Sequence, residues 1–274
     1  MPDKTALTSL ICASLSAREA ELTERFSGSI EAVGTRFVEI DDLLPFEVAD
    51  EISKAFPPLE EMRLMDSFRE RKHTSKSFGK FASILADATF AFQDPSVIEL
   101  ISNITGISDQ VPDSSLYAGG LSAMGRGHFL GPHIDNSHDA SRRYYRTLNL
   151  LYYVSPDWSE KDGGSLQLWD QDVRKSVTIP SYFNRLVLME TTPWSWHSVS
   201  SVTCDNIRKC VSNYYFSRRS PTGDDYFNVT AFSAPPGRPF LRAWSRCDAK
   251  IRQLVRSFRP SGLGIDDLYD GPPR

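Results

Sequence analysis

The stretch that decides the fold is RTLNLLYYVSPDWSEKDGGSLQLWD, residues 146–170. Side chains two positions apart along a strand point to the same face of a sheet. The first half of the stretch therefore separates into two faces, one with Thr147, Asn149, Leu151 and Tyr153 and the other with Leu148, Leu150, Tyr152 and Val154. The second face is apolar and is expected to pack in a core. Turn residues at 155–156 and 162–164 bound the strand.

The same pattern of short β-rich runs and turn signals continues from about Ser114 to about Phe232. Strands at this spacing, without helices between them, predict an antiparallel sandwich or barrel. Before this region, residues 5–27 and 78–107 have helical periodicity, the second interrupted at Asp94-Pro95. Another helix carries Val48, Ile52 and Phe56, with Asp41 or Asp42 as the expected N-cap.

These patterns predict three segments in one structural domain. Residues 1–113 form a mainly helical portion that packs on the core, and residues 114–233 form the β core. Residues 234–274 form a C-terminal helix, over 249–258, and a tail. The sequence leaves the oligomeric state open.

Composition excludes several classes of partner. The chain has 274 residues and a formal net charge of -4, with no basic domain, so nucleic acid is not expected as a partner. Arg142, Arg143 and Arg146 form a short basic run, interpreted as a solvated loop or strand entry. The four cysteines form no CxxC pair. No signal peptide or bilayer-spanning segment is apparent, so no membrane association and a cytoplasmic location are expected.

The segment GPHIDNSH, residues 131–138, contains a histidine and an aspartate two positions apart. On a strand, His133 and Asp135 would reach into the same space. Two histidines and one carboxylate form the facial triad of non-haem Fe(II) oxygenases, and His197 is the candidate for the third ligand. A structural histidine–aspartate hydrogen bond is the alternative interpretation of the pair.

An arginine follows the third candidate ligand. Arg208 begins the run RKCVSNYYF, in which Arg208, Cys210, Ser212 and Tyr214 would share one face of a strand. An arginine inside a barrel is costly unless it meets an anion. A dicarboxylic acid held by a bidentate guanidinium contact would supply that anion.

Taken together, these motifs resemble the 2-oxoglutarate/Fe(II)-dependent dioxygenase superfamily, and within it the prolyl 4-hydroxylase-like branch. The resemblance runs from about Gly119 to Phe216. Its segments, in order, are GRGHFLGPHIDN, RTLNLLYYVSPDWSEKDGGSLQLWD, PSYFNRLVLME and WHSVSSVTCDNIRKCVSNYYF. It implies a mainly β fold with α, whose double-stranded β-helix core (jelly-roll, cupin-like) is buttressed by N-terminal helices.

The resemblance also implies the site. His133, Asp135 and His197 would bind Fe(II), and Arg208 would pair with the distal carboxylate of 2-oxoglutarate. The position of Tyr153 matches a tyrosine that contacts this carboxylate in similar proteins, although a core role is equally open. Asn149 could point into the co-substrate pocket.

The implied reaction uses dioxygen, with ascorbate as a stimulant, to hydroxylate an unactivated C–H bond. The expected substrate is a prolyl residue in a protein or peptide. A free amino acid or small metabolite is the alternative substrate, and a non-catalytic, metal-containing β-helix binding module is the alternative class. Asp135 favours hydroxylation, because related halogenases lack this carboxylate.

Three features bear on the subfamily and substrate. Ala123 and Met124 stand where relatives often carry a strand tyrosine, so one hydrogen bond to co-substrate or substrate is expected to be absent. Tyr214 stands where nucleobase demethylases typically carry a second arginine, which disfavours that branch. Trp194, Trp196 and the loop 136–146 are expected near the mouth of the site, with a core role open for both tryptophans.

Overall fold

The computed structural model describes residues 2–117 and 119–233. The predicted C-terminal helix at 249–258 and the tail lie outside the described residues. Within them, the helices are α1 (Lys4–Ser16), α2 (Glu19–Gly28), α3 (Ile30–Val33), α4 (Phe46–Lys54), α5 (Ser83–Ala91) and α6 (Pro95–Thr105). The longest of these helices has 13 residues, and none is long and apolar enough to cross a membrane.

Short strands dominate the rest of the described chain. They are β1 (Phe37–Ile40), β2 (Arg63–Asp66), β3 (Glu70–Ser75), β4 (Gln110–Pro112), β5 (Gly120–Met124), β6 (Phe129–Ile134), β7 (Tyr145–Tyr153), β8 (Leu166–Trp169), β9 (Ser176–Ile179), β10 (Arg185–Glu190), β11 (His197–Val199), β12 (Arg208–Ser217) and β13 (Ala231–Phe232). Every pairing between them is antiparallel.

The strands form one sheet that curls into a nearly closed barrel. Its order is β1-β10-β7-β12-β5-β3-β6-β11-β8-β9, with β13, β2 and β4 attached to β6, β3 and β12. Neighbours in the sheet are seldom neighbours in sequence, as in the double-stranded β-helix. The predicted fold class, a mainly β jelly-roll with helices, is confirmed.

Strand β7 has the two faces that its alternation predicts. Leu148, Leu150, Tyr152 and Val154 pack in the main core with residues of α1 and α2, among them Leu7, Ile11 and Phe26. Full burial of each such leucine or isoleucine contributes about 1.5–3 kcal/mol. On the opposite face, Tyr153 packs inside the barrel against a second apolar cluster that includes Leu166 and Val187. The helices therefore support the sheet from outside and leave its interior for the site.

The predicted helix interruption at Asp94-Pro95 is confirmed. Helix α5 ends at Ala91, and Asp94 caps α6 by accepting a hydrogen bond from the backbone N–H of Ser96. Proline at the first helical position suits this start, because its missing N–H would have no partner there.

The predicted N-cap of α4 is wrong. Pro45 occupies the cap position, and Phe56 lies two residues beyond the end of the helix at Lys54. Asp41 instead accepts a hydrogen bond from Arg185, with Nη2 and Oδ2 2.8 Å apart. A carboxylate engaged by a guanidinium at the sheet edge is not available to cap a helix that begins five residues further on.

In the first hundred residues, the β2–β3 hairpin is strand that the sequence did not indicate, whereas β1 lies in the run FVEIDDLLP, which alternates like a strand. Strand β1 pairs with β10, and β2 and β3 form a hairpin that joins the sheet between β5 and β6. The hairpin carries few apolar residues, so it lacks the alternation by which a half-buried strand is recognised.

Candidate functional site

Two antiparallel neighbours bring the candidate histidines together. His133 on β6 and His197 on β11 are direct partners in the register, and their ring centroids lie 4.1 Å apart. Asp135 follows His133 by two residues and reaches the same space, as the alternation of strand side chains requires. One ligand atom from each of the three residues lies within 4.8 Å of the others. The predicted triad is therefore assembled from residues distant in sequence.

The hydrogen bonds of both imidazoles orient them for metal binding. Nδ1 of His133 lies 3.0 Å from the carbonyl oxygen of Gly131, and Nδ1 of His197 lies 3.0 Å from that of Ser195. A carbonyl oxygen only accepts, so each Nδ1 carries the proton and each Nε2 keeps its lone pair. Both Nε2 atoms lie 3.6 Å from an oxygen of Asp135. This backbone support is typical of histidines that hold a metal.

The protonation states also suit a metal. Burial, and then the neighbouring His133, lower the pKa of His197 to about 4, so its imidazole is neutral near pH 7. Burial alone would raise the pKa of Asp135, but Arg146 and the two histidines outweigh it and hold this pKa well below its usual range. Metal binding needs neutral imidazole and ionised carboxylate. Two nitrogen donors and one oxygen donor, with the remaining positions open, fit Fe(II).

A buried arginine holds the carboxylate of Asp135. Nη1 of Arg146 lies 3.0 Å from Oδ2 of Asp135, and the Arg146 residue is only 1% exposed. Its Nη2 donates to Oδ1 of Asn136 at 2.9 Å, and its guanidinium lies 4.4 Å from the ring centre of Tyr214. Arg146 is the second residue of β7, as the strand-entry interpretation of the basic run predicts, but it is buried and not solvated.

Asn149 is the second side-chain donor to the same oxygen. Its Nδ2 donates to Oδ2 of Asp135 at 2.8 Å, while its Oδ1 accepts from the hydroxyl of Thr191 at 3.1 Å. Asn149 lines the cavity, as its strand face predicted, and its amide is engaged by the carboxylate of the triad. Oδ2 is thus held by two donors, and Asp135 has one fixed orientation.

We expect Arg146→Met to lower the free energy of unfolding of the metal-free protein by about 3–5 kcal/mol, because it leaves a largely buried carboxylate without its counter-charge. A bound divalent cation would restore that charge, so the loss should shrink when Mn²⁺ is present. Urea unfolding with and without Mn²⁺ measures both effects.

Arg143→Met is the matched control, since Arg143 belongs to the same run but is exposed. It should change the free energy of unfolding by less than about 0.5 kcal/mol. Equal effects of the two substitutions would contradict the role given to Arg146.

A cavity of about 380 Å³ connects the triad with Arg208. Arg208, Cys210, Ser212 and Tyr214 all line it, as predicted from the alternation of β12. Arg208 is 3% exposed, and its Nε donates to the hydroxyl of Ser181 at 3.0 Å. Among residues 2–117 and 119–233, no carboxylate lies within 4.0 Å of this guanidinium. A buried cation without a counter-ion is costly, so the cavity is suited to an anion.

The aliphatic part of the Arg208 side chain packs closely against the turn that contains Gly163 and Gly164. Gly164 has a φ of +63°, and a Cβ at this position would lie 2.7 Å from Cδ of Arg208. Trp158 covers the same turn, with its Nε1 donating to the carbonyl of Gly163 at 2.9 Å. The tryptophan and the paired glycines therefore fix the stem of Arg208 against the wall of the barrel.

Tyr153 lies beside Arg208 in the interior. The guanidinium carbon is 4.7 Å from the ring centre of Tyr153, which is fully buried. Burial raises the pKa of Tyr153 to about 12, against the opposing charge of Arg208. The hydroxyl is near Ser181 and Arg208 but makes no hydrogen bond of good geometry with a described residue. Tyr153 does not line the cavity, and its hydroxyl is a buried donor beside Arg208 without a hydrogen-bond partner among the described residues.

The structure also places Met124, the two tryptophans and the loop that were expected near the site. Met124, at the position of the strand tyrosine of relatives, contacts Arg208, with Sδ 3.7 Å from Nη1. Trp194 and Trp196 do not line the cavity, and neither does the loop 136–146. The cavity wall that sequence reasoning missed is the β2–β3 hairpin, which contributes Arg63, Met65, Lys72 and Thr74.

Comparisons with known proteins agree with this geometry. The sequence profile of the 2OG-Fe(II) oxygenase superfamily matches residues 119–217. A curated relative, prolyl 3-hydroxylase OGFOD1 of Xenopus laevis, is 34% identical over 110 residues, which are 36% of this chain and 21% of the relative. The chain thus spans about a fifth of the length of this relative.

Solved structures share the fold. A Trichoplax adhaerens prolyl hydroxylase, in complex with a peptide fragment of the hypoxia inducible factor oxygen degradation domain, has a TM-score of 0.51 at 18% identity, over 73% of this chain and 91% of that chain. A Pseudomonas putida prolyl-4-hydroxylase has a TM-score of 0.50 at 15% identity, over 72% and 100% of the two chains. At such identities the similarity establishes the fold alone. The profile match of the 2OG-Fe(II) oxygenase superfamily covers residues 119–217, which are 99 of the 274 residues of this chain.

Proposed function

We propose that this chain is an Fe(II)- and 2-oxoglutarate-dependent dioxygenase that hydroxylates an unactivated C–H bond of a prolyl residue in a protein or peptide. The observation that carries the proposal is the pairing, in one cavity, of a histidine–aspartate–histidine cluster with a buried arginine. A simple metal-binding module needs the first of these features but not the second.

Each residue then has a defined part. His133, Asp135 and His197 would hold one face of the iron and leave its other positions to the co-substrate and dioxygen. Arg208 would pair with the distal carboxylate of 2-oxoglutarate in a bidentate contact, and the Tyr153 hydroxyl would add a donor. When bound, iron and 2-oxoglutarate supply oxidative decarboxylation to succinate, coupled to hydroxylation of the substrate. Arg146 and Asn149 would keep the Asp135 carboxylate in place.

The prolyl substrate rests on the relatives. The curated relative is called a prolyl 3-hydroxylase, and both structural relatives named above are prolyl hydroxylases. The cavity volume of about 380 Å³ is of the size that accommodates a small ligand with part of a substrate. Asp135 supports hydroxylation, since it occupies the position that a halide would need on the metal.

Two features of the whole chain belong to the proposal. We propose that residues 1–113 and 114–233 act as one structural domain, because β1 and the β2–β3 hairpin pair with strands of the second segment.

The proposed compartment is the cytoplasm. Cys12, Cys204 and Cys210 are unpaired among the described residues, as a reducing compartment permits.

Succinate release tests the activity. Purified protein is loaded with Fe(II) without oxygen and then given 2-oxoglutarate, ascorbate, air and a panel of peptides that each contain one proline. We expect succinate in step with a gain of one oxygen atom on a peptide. A matched panel with alanine for proline should give no such gain, and His133→Ala should abolish the succinate.

The alternatives give different results. A gain of oxygen on a free amino acid and on no peptide would favour the small-molecule hydroxylase. Iron binding without 2-oxoglutarate binding or succinate release would favour the non-catalytic module and contradict the proposal.

A further inference from the structure

A buried serine hydroxyl lies against the guanidinium of Arg208. Ser181, in the segment between β9 and β10, is fully buried and does not line the cavity. Its Oγ accepts a hydrogen bond from Nε of Arg208 at 3.0 Å and donates one to the carbonyl oxygen of Gly164 at 2.7 Å. Ser181 therefore connects the arginine with the neighbouring turn, and its influence on a ligand in the cavity passes through Arg208.

The two hydrogen bonds fix the orientation of this hydroxyl. A serine hydroxyl has one proton to donate and two lone pairs. The proton goes to the carbonyl of Gly164, because a carbonyl oxygen only accepts, so the lone pairs of Oγ remain for the arginine. Nε of an arginine has a single N–H, and in Arg208 this hydrogen bond uses it. A turn of the guanidinium about its Cδ–Nε bond would break the hydrogen bond.

Packing confines the rest of the Arg208 side chain. A Cβ on Gly164 would lie 2.7 Å from Cδ of Arg208, so the turn touches the aliphatic part closely. The ring centre of Tyr153 lies 4.7 Å from the guanidinium carbon. Nη1 lies 3.7 Å from Sδ of Met124, and a thioether sulfur is only a weak acceptor. These contacts leave most of the hydrogen-bonding capacity of the terminal nitrogens for a ligand.

The hydrogen bond to Ser181 determines how a carboxylate can approach. A guanidinium can hold a carboxylate with two parallel N–H bonds, either from its two terminal nitrogens or from Nε and one of them. Because Nε already donates to Ser181, the second arrangement is closed, and the carboxylate meets Arg208 end-on. The other end of a diacid must reach the histidine–aspartate–histidine cluster in the same cavity. A guanidinium that cannot turn therefore sets the length of the diacid that fits.

We propose that Ser181 is a positioning residue that holds the guanidinium of Arg208 for end-on contact and thereby selects the five-carbon diacid 2-oxoglutarate over its longer homologue 2-oxoadipate. The inference rests on the proposed function, because the keto acid end of the diacid must bind the metal held by His133, Asp135 and His197. It assigns selectivity for co-substrate length to a residue outside the cavity lining.

Calorimetry without oxygen, with Fe(II) present, tests the inference without turnover. The probes are 2-oxoglutarate, 2-oxoadipate, which has one more methylene, and 2-oxobutyrate, which has no distal carboxylate. We expect Ser181→Ala to weaken 2-oxoglutarate binding by on the order of tenfold, the effect of one hydrogen bond to a charged group. The preference of the wild-type protein for 2-oxoglutarate over 2-oxoadipate should shrink. Affinity for 2-oxobutyrate and for Fe(II) should not change, as general damage to the site would require.

Two further variants separate the hydrogen bond from packing. Ser181→Cys keeps nearly the same volume, but sulfur is a weak acceptor, so it should lose affinity for 2-oxoglutarate as Ser181→Ala does. Addition of Ser181→Ala to Arg208→Gln should cause no further loss, because the group that the serine positions is already gone.

Ser53→Ala is the matched control. Ser53 on α4 is also buried, and its hydroxyl accepts from a cationic side chain, with Nζ of Lys209 3.3 Å away. Lys209 is the neighbour of Arg208 on β12, but neither Ser53 nor Lys209 lines the cavity. The control should leave the affinities for both diacids unchanged.

Unchanged 2-oxoglutarate affinity in Ser181→Ala would overturn the inference and leave the proposed function standing. An equal loss of 2-oxobutyrate affinity, an unchanged preference over 2-oxoadipate, or an additive loss in the double variant would also overturn it. A wild-type protein that binds Fe(II) but no 2-oxoglutarate would contradict the proposed function itself, and the inference with it.

Discussion

His197→Ala is expected to weaken Fe(II) binding by on the order of 100-fold or more, because it removes one of three donors of a small, largely buried site. His133 and Asp135 would remain, but two donors hold a divalent ion far less tightly than three. Calorimetric titration of Fe(II) without oxygen measures the affinity, and Mn²⁺ serves as a second probe that does not oxidise. Succinate release should be lost together with the metal.

His128→Ala provides the matched control. His128 is also buried in the sheet region, but its ring stacks on that of His73, 5.2 Å away, and it does not line the cavity. It should leave metal affinity unchanged even if it lowers stability. Unchanged affinity in His197→Ala would contradict the triad, and equal losses in both variants would point to damage of the fold.

Arg208→Gln is expected to weaken 2-oxoglutarate binding by about 30–1000-fold, corresponding to the about 2–4 kcal/mol lost when one partner of a buried charge pair is removed. Fe(II) binding should not change, because no atom of Arg208 belongs to the triad. Arg208→Lys keeps the charge but loses the planar pair of donors, so an intermediate loss is expected. Anaerobic calorimetry with the metal present measures all three proteins.

Comparison with a second ligand, 2-oxobutyrate, tests whether Arg208 binds the distal carboxylate of 2-oxoglutarate. 2-Oxobutyrate keeps the keto acid end of 2-oxoglutarate but lacks the distal carboxylate. The wild-type protein should prefer 2-oxoglutarate by about the same factor that Arg208→Gln loses, and the variant should bind both ligands with similar affinity. If Arg208→Gln still binds 2-oxoglutarate more tightly than 2-oxobutyrate, a group other than Arg208 binds the distal carboxylate.

The barrel and the approach of the three candidate ligands could be predicted from sequence because both depend on alternation along strands. The alternation of β7 separates core from interior, and the helix interruption at Asp94-Pro95 has a capping residue and a proline in the expected places. His133 and Asp135 share a face by the same rule. Only the partnership with His197 needed closure of the sheet, and the register of β6 with β11 provides it.

Arg146 could not be placed by alternation because a bulge interrupts it. Phe216 pairs with Arg146 and Tyr215 with Leu148, so Thr147 is an extra residue in β7. A bulge turns the strand and re-aims the side chains on one side of it. Arg146 therefore reaches Asp135, although simple alternation from Asn149 assigns it to the opposite face.

The β2–β3 hairpin was missed for a different reason. Its cavity face carries Arg63, Lys72 and Thr74, so the face turned inward is polar. Sequence patterns identify strands by an apolar face that packs in a core. A strand that faces a polar cavity gives no such signal.

The most direct test of the central claim is the dependence of 2-oxoglutarate binding on metal. The claim is that one diacid lies between the ion held by His133, Asp135 and His197 and the guanidinium of Arg208. In titrations without oxygen, we predict that one 2-oxoglutarate binds per chain when Fe(II) is present, and that affinity falls by on the order of 100-fold when Fe(II) is removed. Equal 2-oxoglutarate affinity with and without Fe(II), or no binding in either case, would contradict the account.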